Sequence, residues 1–269
     1  MGTACILCNN RAFTKKFSKG PWDIVECDHC GLKFVDPLPT EEVIEEFYNK
    51  HKQPTQERIE IYLKTRASRD RRDQRKLKLL EKIQKNKGQL LDIGCGMGLF
   101  VKNAADHGWK AQGVDLDREM IDFGKKTFGA NLSCSMLSEL PEGHFDVITM
   151  FNLIDHLQTP VSFLKEVERI LKPNGIIYTN LHDAGGWKAR KYQADWSAYC
   201  PPMHLYYYTP LNLELLVNKS GLKVLMVPGI NLKEGIKVIL VKKDDPRQVS
   251  VLRKKFEDSV YASVQMLKL

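Results

Sequence analysis

Three groups of residues in this 269-residue chain have the types and spacing that chemistry needs. The first is the run Asp92-Ile93-Gly94-Cys95-Gly96-Met97-Gly98. Glycine at every second position removes the Cβ atoms that would hold a ligand away from the backbone. A helix that starts directly after such a loop presents free N–H groups, a seat for a carboxylate or phosphate. Downstream, Asp115 closes the strand-like stretch Gly113-Val114, where an acid commonly takes the hydroxyls of a ribose. The second group is Cys5-x2-Cys8 and Cys27-x2-Cys30, with 18 residues between the pairs. Each Cys-x2-Cys turn directs two sulfurs at one ion, which predicts a four-thiolate tetrahedral zinc site. Four thiolates leave no open coordination position, so that zinc is structural. A redox dithiol pair and an iron–sulfur cluster use the same ligands and stay as alternatives. The third group is His204, His156 and His182, the candidates for a general base.

These residues need elements to hold them. Residues 1–36 are short, turn-rich and cysteine-paired, too few to bury a core without a metal. Pro37 and Pro39 break the chain, and Thr40 before Glu41 and Glu42 reads as a helix start. Two helices are expected, about 40–49 and 57–86, forming a helical segment over 37–86 that covers the ligand cleft. From Gly88 the texture changes. Gln89–Ile93, Ala111–Val114, Phe145–Met150 and Ile176–Asn180 read as buried strands. Leu99–His107, Arg118–Phe128 and Val161–Leu171 read as helices between them, and Lys172-Pro173-Asn174-Gly175 as a turn. A further helix from Thr209-Pro210 to Ser220-Gly221 precedes strands at Leu222–Val227 and Ile236–Val241. This alternation predicts an α/β domain over 87–245 with a parallel sheet covered on both faces. Residues 246–269 are read as a helical tail.

The glycine loop differs from the dinucleotide pattern Gly-x-Gly-x-x-Gly, because Gly98 comes one residue early and Leu99 takes the third glycine's place. It resembles the first motif of the class I S-adenosylmethionine-dependent methyltransferases. Phe145-Asp146-Val147-Ile148 through Asp155-His156-Leu157 is similar to that family's fourth motif, with Asp155 in place of the usual Glu. The Lys-Pro-Asn-Gly stretch is similar to its turn into strand five. The resemblance covers about residues 86–242 and implies a three-layer Rossmann-like fold with a mostly parallel seven-stranded sheet. It also implies roles. Gly94, Cys95, Gly96 and Gly98 would line the methionine part of S-adenosylmethionine, with Asp92 near its amino group. Asp115 would hold the ribose and Leu116 would lie beside the adenine, with Met136 and Leu137 flanking the ring. Phe151 and Asn152 would border the cofactor and the incoming nucleophile. His204 lies in Pro202-Met203-His204-Leu205, which resembles a segment of one methyltransferase subgroup, and His204 and His156 are the expected catalytic histidines. Trp187, Tyr192, Tyr206 and Trp196 are candidates to wall the acceptor pocket. A cysteine module fused to such a domain resembles two groups. One acts on sugars or other small metabolites. The other, of rRNA guanine methyltransferases, carries a finger of three cysteines and one histidine, which this sequence lacks.

Composition limits the partners. The chain has 41 Lys and Arg against 33 Asp and Glu, a net charge of +8. The stretch from Arg58 to Lys87 holds 12 basic and 4 acidic residues, so the whole excess lies there. The plain reading is a solvated helix face with Arg66–Asp70 and Arg69–Asp73 at pairing distance along the helix. The sharper reading is an electrostatic footprint for RNA, with the zinc ribbon as guide. A third reading is a binding module that keeps the fold without turnover. No apolar run is long enough for a membrane span and residues 1–13 lack an apolar signal core, so a cytoplasmic protein is expected. The favoured expectation is methyl transfer from S-adenosylmethionine to a small-molecule acceptor. The oligomeric state is not legible.

Overall fold

The structure, a computed structural model, describes residues 4–51, 55–226 and 235–247. Val227 at the end of an expected strand and residues 248–269 of the expected helical tail lie outside the described residues. The chain divides into two compact units, one of residues 51–151 and 166–178, the other of the described residues in 1–50, 152–165 and 179–269.

The first unit carries the parallel strands. Its elements are α2 (Thr55–Ile83), β4 (Gln89–Ile93), α3 (Leu99–Asp106), β5 (Lys110–Val114), α4 (Arg118–Phe128), β6 (Leu132–Ser133) and β7 (Phe145–Phe151). β4 pairs in parallel with both β5 and β7, with Asp92 opposite Gly113 on one side and Thr149 on the other. Its apolar run is buried, as expected of a strand covered on both faces. The helix ends follow local chemistry. Asp117 caps α4 by accepting the Met120 N–H at 3.3 Å, and Gly129 ends it in the left-handed region with φ of 61°. α5 (Pro160–Ile170) runs directly into β8 (Leu171–Leu181). Here the expected turn gives way. Lys172 to Gly175 form the extended start of β8, with Pro173 and Asn174 exposed. Proline's fixed φ suits an exposed strand end. A Cβ on Gly175 would sit 2.6 Å from the Leu171 side chain.

The second unit holds a four-stranded sheet in the order β1-β2-β3-β9, built from β1 (Phe13–Lys19), β2 (Trp22–Cys27), β3 (Lys33–Asp36) and β9 (Tyr206–Tyr207). All its pairs are antiparallel. The cysteine module is thus completed by residues 170 positions further along the chain, which no local pattern announces. α1 (Glu41–His51), α6 (Trp187–Tyr192) and α7 (Pro210–Lys219) belong here, with β10 (Leu222–Met226) and β11 (Ile236–Lys242). Thr209 and Asn212 form a reciprocal cap at the start of α7. The main sheet has seven strands in the order β10-β11-β8-β7-β4-β5-β6, parallel where β4 meets β5 and β7 and antiparallel at β10 and β11. This is the mostly parallel seven-stranded α/β sheet expected from the sequence.

Candidate functional site

The glycine loop leaves β4 and enters α3. Gly94, Gly96 and Gly98 all have positive φ, at 74°, 53° and 73°, a conformation costly for residues with a Cβ. Backbone bonds fix the loop: Gly94 N donates to Val114 O at 2.8 Å and Gly98 N to Cys95 O at 2.9 Å. At Gly96 a Cβ would meet nothing within 4 Å, so the loop is open on that side. At Gly98 a Cβ would lie 2.6 Å from Leu132, so that glycine serves internal packing. Cys95 packs beneath, where a Cβ on Gly113 would sit 2.7 Å from its sulfur, and burial pushes its thiol pKa up.

The two acids do different work. Asp115 accepts the Gly96 N–H at 2.8 Å through one oxygen and the Asp117 N–H at 2.9 Å through the other. It braces the loop and keeps further lone pairs on each oxygen. Asp92 is buried and accepts from the Thr149 hydroxyl at 2.6 Å. Burial pushes its carboxyl up to about 7, against the Thr149 bond and the positive charge of Lys76. Leu116 is 82% exposed and Met136 58% exposed, two large apolar side chains outside the core. Leu137 is half-buried in a short 3-10 turn over Leu137–Glu139.

Helix α2 supplies residues that sequence reasoning passed over. Tyr62 takes the Leu99 N–H at 3.0 Å with its hydroxyl, so the first amide of α3 is already occupied. The Tyr62 proton is left to donate. Lys76 lies 3.7 Å from the Phe151 ring centroid and 3.0 Å from Asp73. Arg69 stacks 4.8 Å over Tyr62. Asp73 therefore pairs with Lys76, where Arg69 was expected, while Arg66 and Asp70 do approach at 3.8 Å. The only sequence signal was an aromatic residue within the basic run.

In the other unit the four cysteines converge. Sγ of Cys5 and Cys30 are 3.5 Å apart and those of Cys8 and Cys27 3.4 Å, and all four lie within 4.8 Å of one another as free thiols. A zinc with sulfurs at about 2.3 Å would set them roughly 3.8 Å apart, so the set fits the ion with small shifts. The two turns have one design. Asn9 N donates to Cys5 O and Gly31 N to Cys27 O, both at 2.9 Å, and Asn9 and Gly31 have φ of 62° and 68°. The hydrogen bond from Cys30 pulls the Cys5 thiol down to about 5, while donating that bond holds the Cys30 proton.

The three histidines, read one by one from the sequence, come together around Asp155. Asp155 lies in a 3-10 turn, Ile154–His156, just after β7, His182 follows β8, and His204 precedes β9. Main-chain bonds set the arrangement: Leu205 N donates to Asp155 O at 2.8 Å and Val35 N to Leu205 O at 3.0 Å. His182 Nδ1 donates to Asp155 Oδ2 at 2.9 Å. His204 Nδ1 donates to Ala198 O at 2.7 Å, with Cys200 Sγ also 3.3 Å away. Tyr48 Oη is 3.1 Å from His156 Nδ1. The His204 ring centroid is 4.6 Å from that of His156 and 4.8 Å from that of His182. Burial lowers His204 and takes His156 down to about 4, so both imidazoles are neutral. Asp155 stays below the usual carboxylate range: burial, the largest single influence, pushes it up, and the His182 bond with the surrounding imidazoles together outweighs it. Asp155, which stands in place of the usual Glu, is the hub of the group.

The remaining candidates separate. Trp187 and Tyr192 are about half exposed and meet edge to face at 6.2 Å, with Lys191 over both rings. Tyr206 is 1% exposed, donates to Gln158 O at 3.2 Å and packs near Phe34 and Tyr208. That is a place in the core, not in a pocket wall, because as part of β9 it is covered on pairing with β3. Trp196 is buried against Tyr199. Phe151 meets Phe100 and Tyr178 edge to face. Asn152, with φ of 50°, exchanges bonds with Asn180: its N–H reaches the Asn180 carbonyl at 3.0 Å and its Oδ1 accepts from Asn180 Nδ2 at 2.6 Å.

Comparison with known proteins gives three findings. A family profile described as "Methyltransferase domain" matches residues 64–227. The ubiquinone biosynthesis O-methyltransferase of Coxiella burnetii is 28% identical over 171 residues, which is 58% of this chain and 73% of that protein. Its counterpart in Dechloromonas aromatica is 29% identical over 98 residues, 34% of this chain and 42% of that protein. The 1,6-didemethyltoxoflavin-N1-methyltransferase of Burkholderia thailandensis, solved with its substrate and S-adenosylhomocysteine, shares the fold. Its TM-score is 0.55 at 14% identity, covering 86% of this chain and 99% of that one. An S-adenosylmethionine-dependent methyltransferase of Clostridium acetobutylicum gives 0.52 at 16% identity, covering 70% of this chain and 98% of that one.

Proposed function

The chain belongs to the methyltransferase-domain family, as an S-adenosylmethionine-dependent enzyme, and on that premise we propose that its acceptor is a small molecule. S-adenosylmethionine supplies a methyl group already activated by its sulfonium, so the protein has mainly to bind, align and exclude water. The open backbone at Gly96 is the approach for the methionine part. Asp115 reaches the ribose with the lone pairs left after bracing the loop. Leu116, Met136 and Leu137 form the apolar seat of the adenine. Buried Asp92 faces the amino group, and the Tyr62 hydroxyl donates to the carboxylate. Phe151 and Asn152, where β7 ends, border the bound cofactor.

The acceptor class rests on one observation: the cations of helix α2 that approach the glycine loop are engaged within this protein, while Lys64, Arg71, Arg72, Arg75 and Lys78 are exposed. Arg58 pairs with Asp117 at 2.7 Å, Arg69 covers Tyr62, and Lys76 sits between Asp73 and Phe151. An RNA footprint would keep such charges for phosphates. The names of the relatives, a quinone-pathway O-methyltransferase and an N-methyltransferase of a small heterocycle, support the same reading. Proton removal, where the acceptor arrives protonated, falls to His156 beside Asp155. Exposed Trp187 and Tyr192 offer apolar surface to the acceptor. The four thiolates hold a structural zinc. Among the described residues no helix is long and apolar enough to cross a membrane.

The test is methyl transfer from labelled cofactor to two pools, small hydroxylated or amino metabolites and total RNA. Label in the small-molecule pool is expected. Label in RNA, with binding that weakens steeply as salt rises, would replace this reading.

A further inference from the structure

Asp155, His182 and His204 each offer a ligand atom, and the three atoms lie within 4.8 Å of one another. We infer that these side chains form a second metal site, distinct from the four cysteines, for a divalent transition metal ion bound by one carboxylate and two imidazoles. Imidazole and carboxylate together suit zinc, iron, cobalt or nickel, and three protein ligands leave open positions for an oxygen donor from a small molecule.

Three observations carry the assignment. First, Asp155 is 2% exposed and its Oδ1 has no hydrogen-bond partner. A buried carboxylate oxygen without a donor bears its full desolvation penalty unless something cationic reaches it. Second, His182 alone stands within hydrogen-bond distance of Asp155, at 2.9 Å, and the other two imidazoles stand further off. His204 Nε2 stands 3.9 Å from Asp155 Oδ2, and His156 Nε2 stands 3.8 Å from Asp155 Oδ1. Both gaps exceed hydrogen-bond reach. Two ligands on one tetrahedral ion with bonds of about 2.1 Å would stand roughly 3.4 Å apart. Third, His204 donates its Nδ1 proton to the Ala198 carbonyl at 2.7 Å. Metal-bound histidines characteristically use the far nitrogen this way, which fixes the tautomer and turns the lone pair of Nε2 inward. His156, anchored at Nδ1 beside Tyr48, is the neighbouring imidazole that closes the group. The site lies past the carboxyl ends of β7 and β8, the edge where open α/β sheets bind ligands.

Cobalt distinguishes the two sites without reference to activity. The full chain is stripped with chelator and reloaded with Co²⁺, with absorbance and metal content followed together. The cysteine site gives intense sulfur-to-cobalt charge-transfer bands, and a nitrogen–oxygen site gives only weak visible bands. The account expects two cobalt ions per chain, the second adding visible intensity without a thiolate band. The His182→Ala variant is expected to keep the thiolate band and lose the second ion. His182 is 41% exposed at its side chain, so the change opens no sealed cavity, and the retained thiolate band reports an intact ribbon. His204→Ala is the second variant and should lose the same ion. A wild-type chain that takes one cobalt, bound only by thiolates, overturns the inference. So does a second ion unaffected by both histidine changes.

Discussion

The glycine loop and the histidine group offer a ligand opposite kinds of surface. The loop between β4 and α3 is backbone: three left-handed glycines, N–H groups tied to carbonyls, and one carboxylate, Asp115, that mostly holds the loop itself. Its open side is at Gly96, where a Cβ would meet nothing within 4 Å. The histidine group is all side chain, gathered from positions 155, 182 and 204 and kept in place by second contacts at Ala198 and Tyr48. A backbone cradle fixes a cofactor shared by many enzymes. A side-chain group is free to be rebuilt for a particular acceptor while the cradle stays. The difference teaches where to expect variation: the first region should tolerate change around it but not within it, and the second should answer to changes in its supports.

The largest effect tests those supports. Main-chain bonds link β3 of the cysteine module to Leu205, and Leu205 to Asp155. Zinc on four thiolates contributes about 10 kcal/mol or more to folding of such modules. The Cys27→Ser variant is therefore expected to lose its zinc by metal analysis. It should also lose second-site cobalt and show a depressed melting temperature. Retained second-site metal in a zinc-free variant would separate the two regions of that unit and break the link.

A smaller effect belongs to Asp92. Burial raises its carboxyl to about 7, with Lys76 and the Thr149 bond opposing and Asp73 and Asp115 assisting. In the unfolded chain the group ionises near 4. Between roughly pH 4 and 7 the folded state then binds the extra proton, so stability falls as pH rises through that window. The unfolding free energy from denaturant titration should fall from pH 5 to pH 8 for the wild type by an amount on the order of a few kcal/mol. The drop should be smaller for Asp92→Asn. Equal slopes in the two proteins would show that the carboxylate is not held proton-bound.

The smallest effect is at Tyr62. Removing its hydroxyl in Tyr62→Phe takes one hydrogen bond from the first amide of α3, about 1 kcal/mol. Affinity for S-adenosylhomocysteine should fall several-fold with the melting temperature nearly unchanged. An unaltered affinity would remove Tyr62 from the cofactor's surroundings.

The two regions also differ in how far the sequence reveals them. Asp92 through Gly98 is contiguous, and its strand–turn–helix context is written in the neighbouring apolar runs, so loop, strands and fold class were legible before the structure. The cysteine pairs were legible for the same reason, two local turns with one spacing. The Asp155 group was not. Its members sit on three separate turns, and only the pairing of β9 with β3 and the Leu205–Asp155 bond bring them together. Tyr206 misled for that reason: beside a motif histidine it looks like pocket wall, yet strand pairing buries it. Tyr62 and Lys76 were hidden inside a charge run, where composition suggests solvent and the packing of α2 decides otherwise.

The central claim is that the open backbone at Gly96 receives the cofactor. Calorimetric titration of S-adenosylhomocysteine into the wild type and into Gly96→Ala tests it directly. The alanine meets no atom within 4 Å in the protein, so its cost to folding is only the left-handed backbone, about 1 kcal/mol. The account predicts one site in the wild type and an affinity at least about tenfold weaker in the folded variant, a loss of about 1.4 kcal/mol or more. Equal affinity in both proteins, or no binding to a well-folded wild type, would contradict it.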